Sequence, residues 1–194
     1  LPKNSAITLS NQLNIDLYLA KIAIARGLDS SNLEKYMYPK IKTSIPDPNV
    51  LDDMKKATKK VLEYIQNNKK IGILGDYDVD GSSATALLIN YFKDIGVDYE
   101  YYIPDRIREG YGPNLEAFRF LNRKGCDLVL TVDCGTTAVK SIEKINQEGM
   151  EIIIIDHHLE SNSLPNAFAI INPKKKSDNS NLENLCATGV VFFF

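Results

Sequence analysis

The chain has 194 residues, of which 44% are hydrophobic and 25% are charged, a composition typical of a globular protein with one apolar core. Its net charge of −2 gives no general attraction to polyanions, so contact with nucleic acid would depend on local patches or bound cations. No apolar run approaches the roughly 18 residues of a membrane helix. The three cysteines are far apart and match no metal-binding spacing, which favours a reducing, cytoplasmic setting over a disulfide framework.

The first 50 residues predict a small helical extension followed by a linker. Apolar side chains at three- and four-residue spacing indicate one amphipathic helix over residues 11–26, ended by Gly27. A shorter helix is predicted over residues 31–37, with Ser30 or Ser31 as its cap. The proline-containing segment 45–49 is typical of a linker. We therefore divide the chain into an extension at residues 1–50 and a domain at residues 51–194.

Strands and helices alternate in the second part of the chain, after a predicted helix over residues 52–67. Predicted strands cover residues 71–74, 99–103, 128–132, 152–155 and 168–171, and the helices between them cover residues 83–95, 114–123 and 137–148. Such alternation predicts an α/β fold, a parallel five-stranded sheet with helices on both faces, preceded by the small helical N-terminal segment. The chain stops on an apolar run, residues 189–194, and we expect further chain to cover it, so the domain is predicted to be incomplete at its C terminus.

Four consecutive predicted strands end in acids. These are Asp76, Asp78 and Asp80 after the first strand, Asp105 after the second, Asp133 after the third and Asp156 after the fourth. Parallel strand ends lie side by side, so the carboxylates would converge and repel one another unless they are protonated or neutralised. One or two divalent cations would relieve this repulsion most directly.

A helix cap is the simpler explanation for any single acid. Asp80 precedes Gly81 and Asp133 precedes Cys134, and each could serve only as an N-cap. The explanation weakens for the whole set, because Asp76 and Asp78 lie too far upstream to cap the same helix as Asp80.

The two histidines of the chain, His157 and His158, are adjacent and directly follow Asp156. Two histidines together at an acidic sheet edge favour metal ligands or catalytic groups over structural side chains. Imidazole mixed with carboxylates favours Mn²⁺ or another transition ion over Mg²⁺ alone. A site of this composition suits the activation of water for in-line displacement at phosphorus, so the residues indicate phosphoester hydrolysis.

Basic residues near this edge have two interpretations. Arg106 and Arg108 follow Asp105 in a charged, glycine-containing segment, which either holds a substrate phosphate or forms a solvated loop. The lysines at residues 174–176 favour surface charge, with nucleic-acid contact as the alternative.

Three motifs in order carry a resemblance to a known family. They are residues 75–81 (Gly-Asp-Tyr-Asp-Val-Asp-Gly), residues 132–135 (Val-Asp-Cys-Gly) and residues 156–158 (Asp-His-His). Together they resemble the DHH phosphoesterase superfamily and, within it, the RecJ-type exonucleases specific for single-stranded DNA. The resemblance covers nearly the whole chain, and implies metal-dependent hydrolysis of single-stranded DNA in the 5′-to-3′ direction, in DNA recombination and repair.

The resemblance also implies roles for individual residues. The metal ligands would be Asp78, Asp80, Asp133, His157 and His158, the supporting residues Asp76 and Asp156, and the catalytic residues Asp133, His157 and His158. The cofactor would be Mn²⁺ or Mg²⁺. Some relatives carry a histidine four residues before Asp78, where this chain has Leu74, so one or two ions are expected.

The partners implied are a single-stranded DNA substrate and further C-terminal domains of the same protein, with no membrane and no predicted oligomeric state. Without those domains the isolated chain is expected to have an incomplete cleft. Two alternatives stay open: a DHH phosphodiesterase for short RNA oligonucleotides or cyclic dinucleotides, and a non-catalytic nucleic-acid-binding or assembly module. The intact acids and histidines favour an enzyme.

Overall fold

The structure is a computed structural model that describes residues 3–194, and the chain divides into two compact units between Asp47 and Pro48. The N-terminal unit has four helices, α1 (Lys3–Leu13), α2 (Leu17–Ala25), α3 (Leu33–Met37) and α4 (Ile41–Ser44). Its small core consists of Ala6, Leu9, Ala20, Ala23 and Leu33. Within the described residues, no helix combines the length and the apolar character needed to cross a membrane.

The single helix predicted over residues 11–26 is wrong, because two helices share this segment. Asn14 follows α1 with a φ of 49°, in the left-handed region that ends a helix. Asp16 then caps α2, its carboxylate accepting a hydrogen bond from the backbone N–H of Tyr18 at 2.7 Å. The apolar spacing continues across this break, so the periodicity alone could not reveal it.

The second unit contains the sheet. After a 3₁₀ helix (Pro48–Val50), its elements are α5 (Met54–Gln66), β1 (Ile71–Leu74), α6 (Val79–Asp94), β2 (Tyr99–Tyr102), α7 (Arg106–Glu109), α8 (Leu115–Arg123), β3 (Leu128–Val132), α9 (Val139–Gln147), β4 (Glu151–Ile155), β5 (Ala169–Ile171) and α10 (Ala187–Phe193). All five strands are parallel, in the order β2-β1-β3-β4-β5. The predicted α/β sheet is confirmed. Helices α7 and α10 were not predicted and lie in the charged segment and the final apolar run.

Helices cover both faces of the sheet, as predicted. Alternate strand residues point to opposite faces. On one face Ile73, Leu130 and Ile153 belong to a core shared with α5, α6 and α10. On the other face Val129 and Ile152 pack in a second core with α8 and α9. Strands β3 and β4 are therefore buried on both sides, which holds their carboxyl ends rigidly.

The strand order places a topological switch point between β1 and β3. The chain leaves β1 for β2 on one side and then crosses to β3 on the other side of β1. Open α/β sheets bind ligands in the crevice outside the carboxyl ends of the strands at such a point. The acids that follow β1 and β3 are positioned at this crevice.

A close approach of α6 to the end of β1 is permitted by Gly81. A Cβ atom placed on Gly81 would lie 2.7 Å from the backbone oxygen and 2.8 Å from the carbonyl carbon of Asp76. Backbone atoms cannot rotate away as a flexible side chain would, so only glycine fits at this position.

We expect Gly81→Ala to destabilise the protein by about 1–3 kcal/mol, because the added methyl group must push α6 away from β1. Equilibrium unfolding in denaturant measures this loss. Ser82→Ala, at the neighbouring exposed position of the same helix, is the matched control and should have a much smaller effect. Equal stability of the two variants would show that the close approach is not a constraint.

Candidate metal centre

Two of the acids after β1 cap helices. Asp78 caps α6, its side chain accepting from the N–H of Gly81 at 2.8 Å. Asp80 caps α10, accepting from the N–H of Ala187 at 2.7 Å and from the N–H and hydroxyl of Thr188 at 2.8 and 2.6 Å. The helix that Asp80 caps is thus not its own but one that begins more than a hundred residues later. Helix capping therefore explains the orientation of these two carboxylates, and both still lie at the crevice.

Asp133, in contrast, caps no helix within the described residues. It follows β3 with a φ of 59°, in the left-handed region, and its side chain is 1% exposed. Its Oδ1 atom is buried and has no hydrogen-bond partner within the described residues. Burying a carboxylate oxygen without a hydrogen-bond donor is costly, and a bound cation would supply positive charge beside this atom.

Asp133 is also the residue common to two groups of potential ligands. The first group consists of Asp133, His157 and His158, and the second of Asp76, Asp78 and Asp133. In each group, one potential ligand atom from every residue lies within 4.8 Å of those from the other two. The Nε2 atom of His157 lies 3.3 Å from Asp133 Oδ1. Asp76, for which a supporting role is predicted, therefore lies among the candidate ligands themselves.

The electrostatics of Asp133 reflect its crowded surroundings. Burial and the nearby carboxylates of Asp80 and Asp78 raise the pKa of Asp133 to about 8. Burial likewise raises the pKa of Asp76. The Nε2 atom of His157 lies 3.5 Å from Asp80 Oδ2, so Asp80 borders the same group. A site that disfavours its own ionised carboxylates fits a divalent cation, whose charge would reverse that preference.

Asp156 organises the two histidines. Its Oδ1 accepts from the backbone N–H groups of His157 and His158 at 2.7 and 3.2 Å, and lies 2.7 Å from Nδ1 of His158. Its Oδ2 accepts from the N–H of Thr136 at 3.0 Å. Burial alone would raise the pKa of Asp156, but the hydrogen bonds from His158 and Thr136 outweigh it and hold the pKa at about 2.

The Asp156 contact also raises the pKa of His158, since the carboxylate favours the protonated ring. With Nδ1 directed at Asp156, the ring presents Nε2 to its surroundings. That atom lies 3.2 Å from the hydroxyl of Tyr111. His157 has no such carboxylate on its Nδ1 within the described residues, and its Nε2 faces Asp133 and Asp80. The two histidines therefore have different environments.

Sequence reasoning missed three residues that hold this site together. Thr188 fixes Asp80, Thr136 fixes Asp156, and the fully buried Asn172 donates to Thr136 Oγ1 at 2.9 Å and to the carbonyl of His158 at 2.8 Å. Asn172 directly follows β5, the position that Asp133 and Asp156 occupy after β3 and β4, and this signal could have identified it. Nothing comparable in the local sequence marks Thr136 or Thr188.

The basic segment lies beside the crevice. The guanidinium of Arg106 lies 5.1 Å from the ring centre of Tyr77, and its charge opposes the rise in the Asp76 pKa. Arg108 is exposed on α7. Asp105 caps α7 by accepting from the N–H of Ile107 at 2.9 Å. The structure brings Arg106 towards the acids, whereas Arg108 and Asp105 belong to the α7 turn.

The fold and this site define a class of protein in which a parallel sheet carries carboxylates and histidines at its switch point. Residues 70–194 match the model of the DHH family, N-terminal domain. The chain belongs to the DHH family, and the resemblance inferred from its motifs is confirmed.

The similar proteins are exonucleases. The chain is 34% identical over 185 residues to the single-stranded-DNA-specific exonuclease RecJ of Bacillus subtilis, covering 95% of the chain and 24% of that protein. It is 29% identical to RecJ of Haemophilus influenzae, covering 100% of the chain and 33% of that protein. The chain thus spans a quarter to a third of the length of these relatives.

Solved structures agree. A crystal structure of exonuclease RecJ bound to manganese is 31% identical, with a TM-score of 0.66, covering 77% of the chain and 37% of that structure. RecJ of Thermus thermophilus in complex with Mn²⁺ is 24% identical, with a TM-score of 0.78, covering 100% of the chain and 26% of that structure, and supports the fold alone.

We expect Asp133→Asn to raise the stability of the metal-free protein at pH 8. The folded pKa of Asp133 lies above the ordinary value of 3.8, so its carboxyl contributes stability that is complete below about pH 4 and is lost as the pH rises through about 8. Asparagine has no proton to lose, and like aspartate it tolerates the left-handed backbone. The gain at pH 8 should be at least about 2 kcal/mol, since one pKa unit is worth 1.36 kcal/mol.

Unfolding in denaturant with a chelator present, at pH 5 and pH 8, measures this gain. Asp105→Asn, which removes an exposed acid, is the matched control and should reproduce the wild-type difference between the two pH values. If the Asp133→Asn variant is less stable than the wild type at pH 8, the proposed repulsion between Asp133 and the neighbouring carboxylates is contradicted.

Proposed function

We propose that this chain forms the metal-binding part of an exonuclease that digests single-stranded DNA from its 5′ end, acting in DNA recombination and repair. The observation that carries the proposal is the environment of Asp133, which is buried, has a left-handed backbone, has no hydrogen-bond donor at Oδ1 within the described residues and is common to both groups of potential ligands. Family membership and similarity to single-stranded-DNA-specific exonucleases supply the substrate class.

The residues that would hold the ions are proposed to be Asp78, Asp80, Asp133 and His157, and Asp76 lies close to Asp78 and Asp133. The donor set suits Mn²⁺ or Mg²⁺, and the inclusion of imidazole favours Mn²⁺. Divalent ions at such a centre activate water and neutralise the charge that develops on the phosphoryl oxygens. Related RecJ structures contain manganese or Mg²⁺.

His158 is proposed to act on the substrate rather than primarily as a ligand, although sequence reasoning placed it in both roles. Its Nδ1 is held by Asp156, so its Nε2 is directed away from that carboxylate and lies 3.2 Å from the hydroxyl of Tyr111. A protonated imidazole beside the ligand group can donate a hydrogen bond or a proton to a phosphate oxygen. Asp156, through its contacts with both histidines, is proposed as the positioning residue for this group.

Arg106 is proposed to contact a phosphate of the single-stranded DNA substrate, because it is the basic side chain of α7 that lies beside the acids. The further domains of the longer relatives would complete the cleft. A cytoplasmic location is the prediction that fits the three free cysteines.

We expect His157→Ala to weaken Mn²⁺ binding by at least about 100-fold, because removal of a direct ligand should cost no less than loss of a residue that only supports one. Isothermal titration with Mn²⁺ measures this. Leu159→Ala is the matched control, since Leu159 is 75% exposed on the same loop and offers no ligand atom. Binding that survives His157→Ala unchanged would remove His157 from the centre, and absence of wild-type binding would favour a non-catalytic module.

The function itself is tested with single strands labelled at the 5′ or the 3′ end, incubated with the protein as it is encoded in full and Mn²⁺. Digestion from the 5′ end releases a 5′ label at once as a mononucleotide, whereas a 3′ label shortens progressively. Asp133→Asn should lower the rate at least about 100-fold. Preference for duplex DNA would contradict the proposal, and preference for short RNA or cyclic dinucleotides would support the alternative phosphodiesterase.

A further inference from the structure

The lysine run after β5 contains three residues with different partners. Lys175 is only 5% exposed and forms ion pairs with Asp52 at 2.8 Å and Asp53 at 3.6 Å. Lys176 pairs with Glu160 at 3.0 Å. For Lys174 no ion pair is found within residues 3–194. One cation of the run is therefore uncommitted while its neighbours are not.

Lys174 lines a cleft that opens beside the candidate metal centre. The cleft has a volume of about 660 Å³, and its lining includes His157, Leu159, Lys174 and Cys186. Glu183 also lines it, but no ion pair joins Glu183 to Lys174 in the part of the chain that is described. Leu159 is 75% exposed, so the cleft offers an apolar side chain as well as a positive charge.

The backbone of Lys174 is fixed relative to the histidines. Its N–H donates to Asn172 Oδ1 at 2.8 Å, and the amide nitrogen of Asn172 donates to the carbonyl of His158 at 2.8 Å. Asn172 is fully buried. A single buried side chain thus sets the distance between the Lys174 backbone and the histidine loop, so the backbone from which this lysine side chain extends is fixed beside the histidines.

The sheet topology places this lysine opposite Arg106. Arg106 follows β2 and Lys174 follows β5, the two edge strands, and the acids follow the strands between them. Four interstrand spacings of about 4.8 Å separate the edge strands by roughly 19 Å. A single strand of nucleic acid lying across this edge of the sheet would therefore contact Arg106, then the candidate metal centre, and then Lys174.

We propose that Lys174 binds a backbone phosphate of the substrate strand in this cleft, on the side of the metal centre opposite Arg106, with the adjoining base against Leu159. The proposal rests on the proposed function, because it takes the polyanion in the cleft to be single-stranded nucleic acid. A lysine held as a point charge beside a cleft is a common phosphate ligand.

The test measures binding of a fluorescent single-stranded oligonucleotide at several salt concentrations, in the protein as it is encoded in full with Mn²⁺ present. An Asp133→Asn background should slow hydrolysis at least about 100-fold. Each phosphate contact contributes about 0.7 to the slope of log affinity against log salt for a single strand. Lys174→Gln should therefore lower the slope by about 0.7 and the affinity at 0.1 M salt by about fivefold, and Lys174→Arg should preserve both.

Lys176→Gln is the matched control, because it removes the same charge from the same run at an exposed lysine already paired with Glu160. Equal effects of the two glutamine variants, or an unchanged slope for Lys174→Gln, would overturn the proposal. Unfolding midpoints verify that both variants are folded. The hydrolysis test is made separately, on the protein that retains Asp133. If Lys174→Gln weakens binding as expected but that protein does not hydrolyse the strand, the phosphate contact is supported and the proposed exonuclease activity is contradicted.

Discussion

Mutual repulsion among carboxylates at one edge of a parallel sheet is the constraint on which the rest of the site depends. The fold reduces this repulsion because most of these acids accept hydrogen bonds from nearby donors. Asp78 and Asp80 accept from helix N-termini, and Asp156 accepts from two histidines and Thr136. Among these acids, only Asp133 keeps a buried oxygen without a hydrogen-bond donor within the described residues. The charge left unbalanced is thus concentrated at one atom, where a cation has most to gain.

The C-terminal helix connects this charge balance to the apolar core. Helix α10 presents its first N–H groups and the Thr188 hydroxyl to Asp80, while Val190 and Val191 pack in the core beneath the sheet. Hydrophobic packing therefore holds the helix end against the carboxylate. Helix N-termini favour anions through their unpaired N–H groups and dipole, so Asp80 remains ionised, with a lowered pKa, in an acidic neighbourhood.

The sequence predicted the sheet and the acids that lie together at its edge because both depend on local order along the chain. Alternation of apolar strands and helices predicts parallel pairing, and the acids follow the strands directly. The partners of those acids were beyond such reasoning. Thr188 meets Asp80 across 108 positions, and Asn172 reaches Thr136 across 36, so neither contact leaves a local pattern. The break at Asn14 was missed for the opposite reason, since the local periodicity continues through it.

The backbone at Asp133 joins the stability of the fold to its chemistry. A left-handed conformation outside glycine costs about 1–3 kcal/mol, with aspartate and asparagine at the tolerant end, and persists only where the surroundings over-determine it. Here β3 is paired on both sides and its residues are fully buried, so the strand end cannot relax. The Asp133 N–H also donates to the carbonyl of Ile155 at 3.0 Å, and this hydrogen bond joins the backbone of Asp133 to the end of β4. The strand that carries the histidines at its end therefore also fixes the acid they face, so the sheet itself positions this group of candidate ligands.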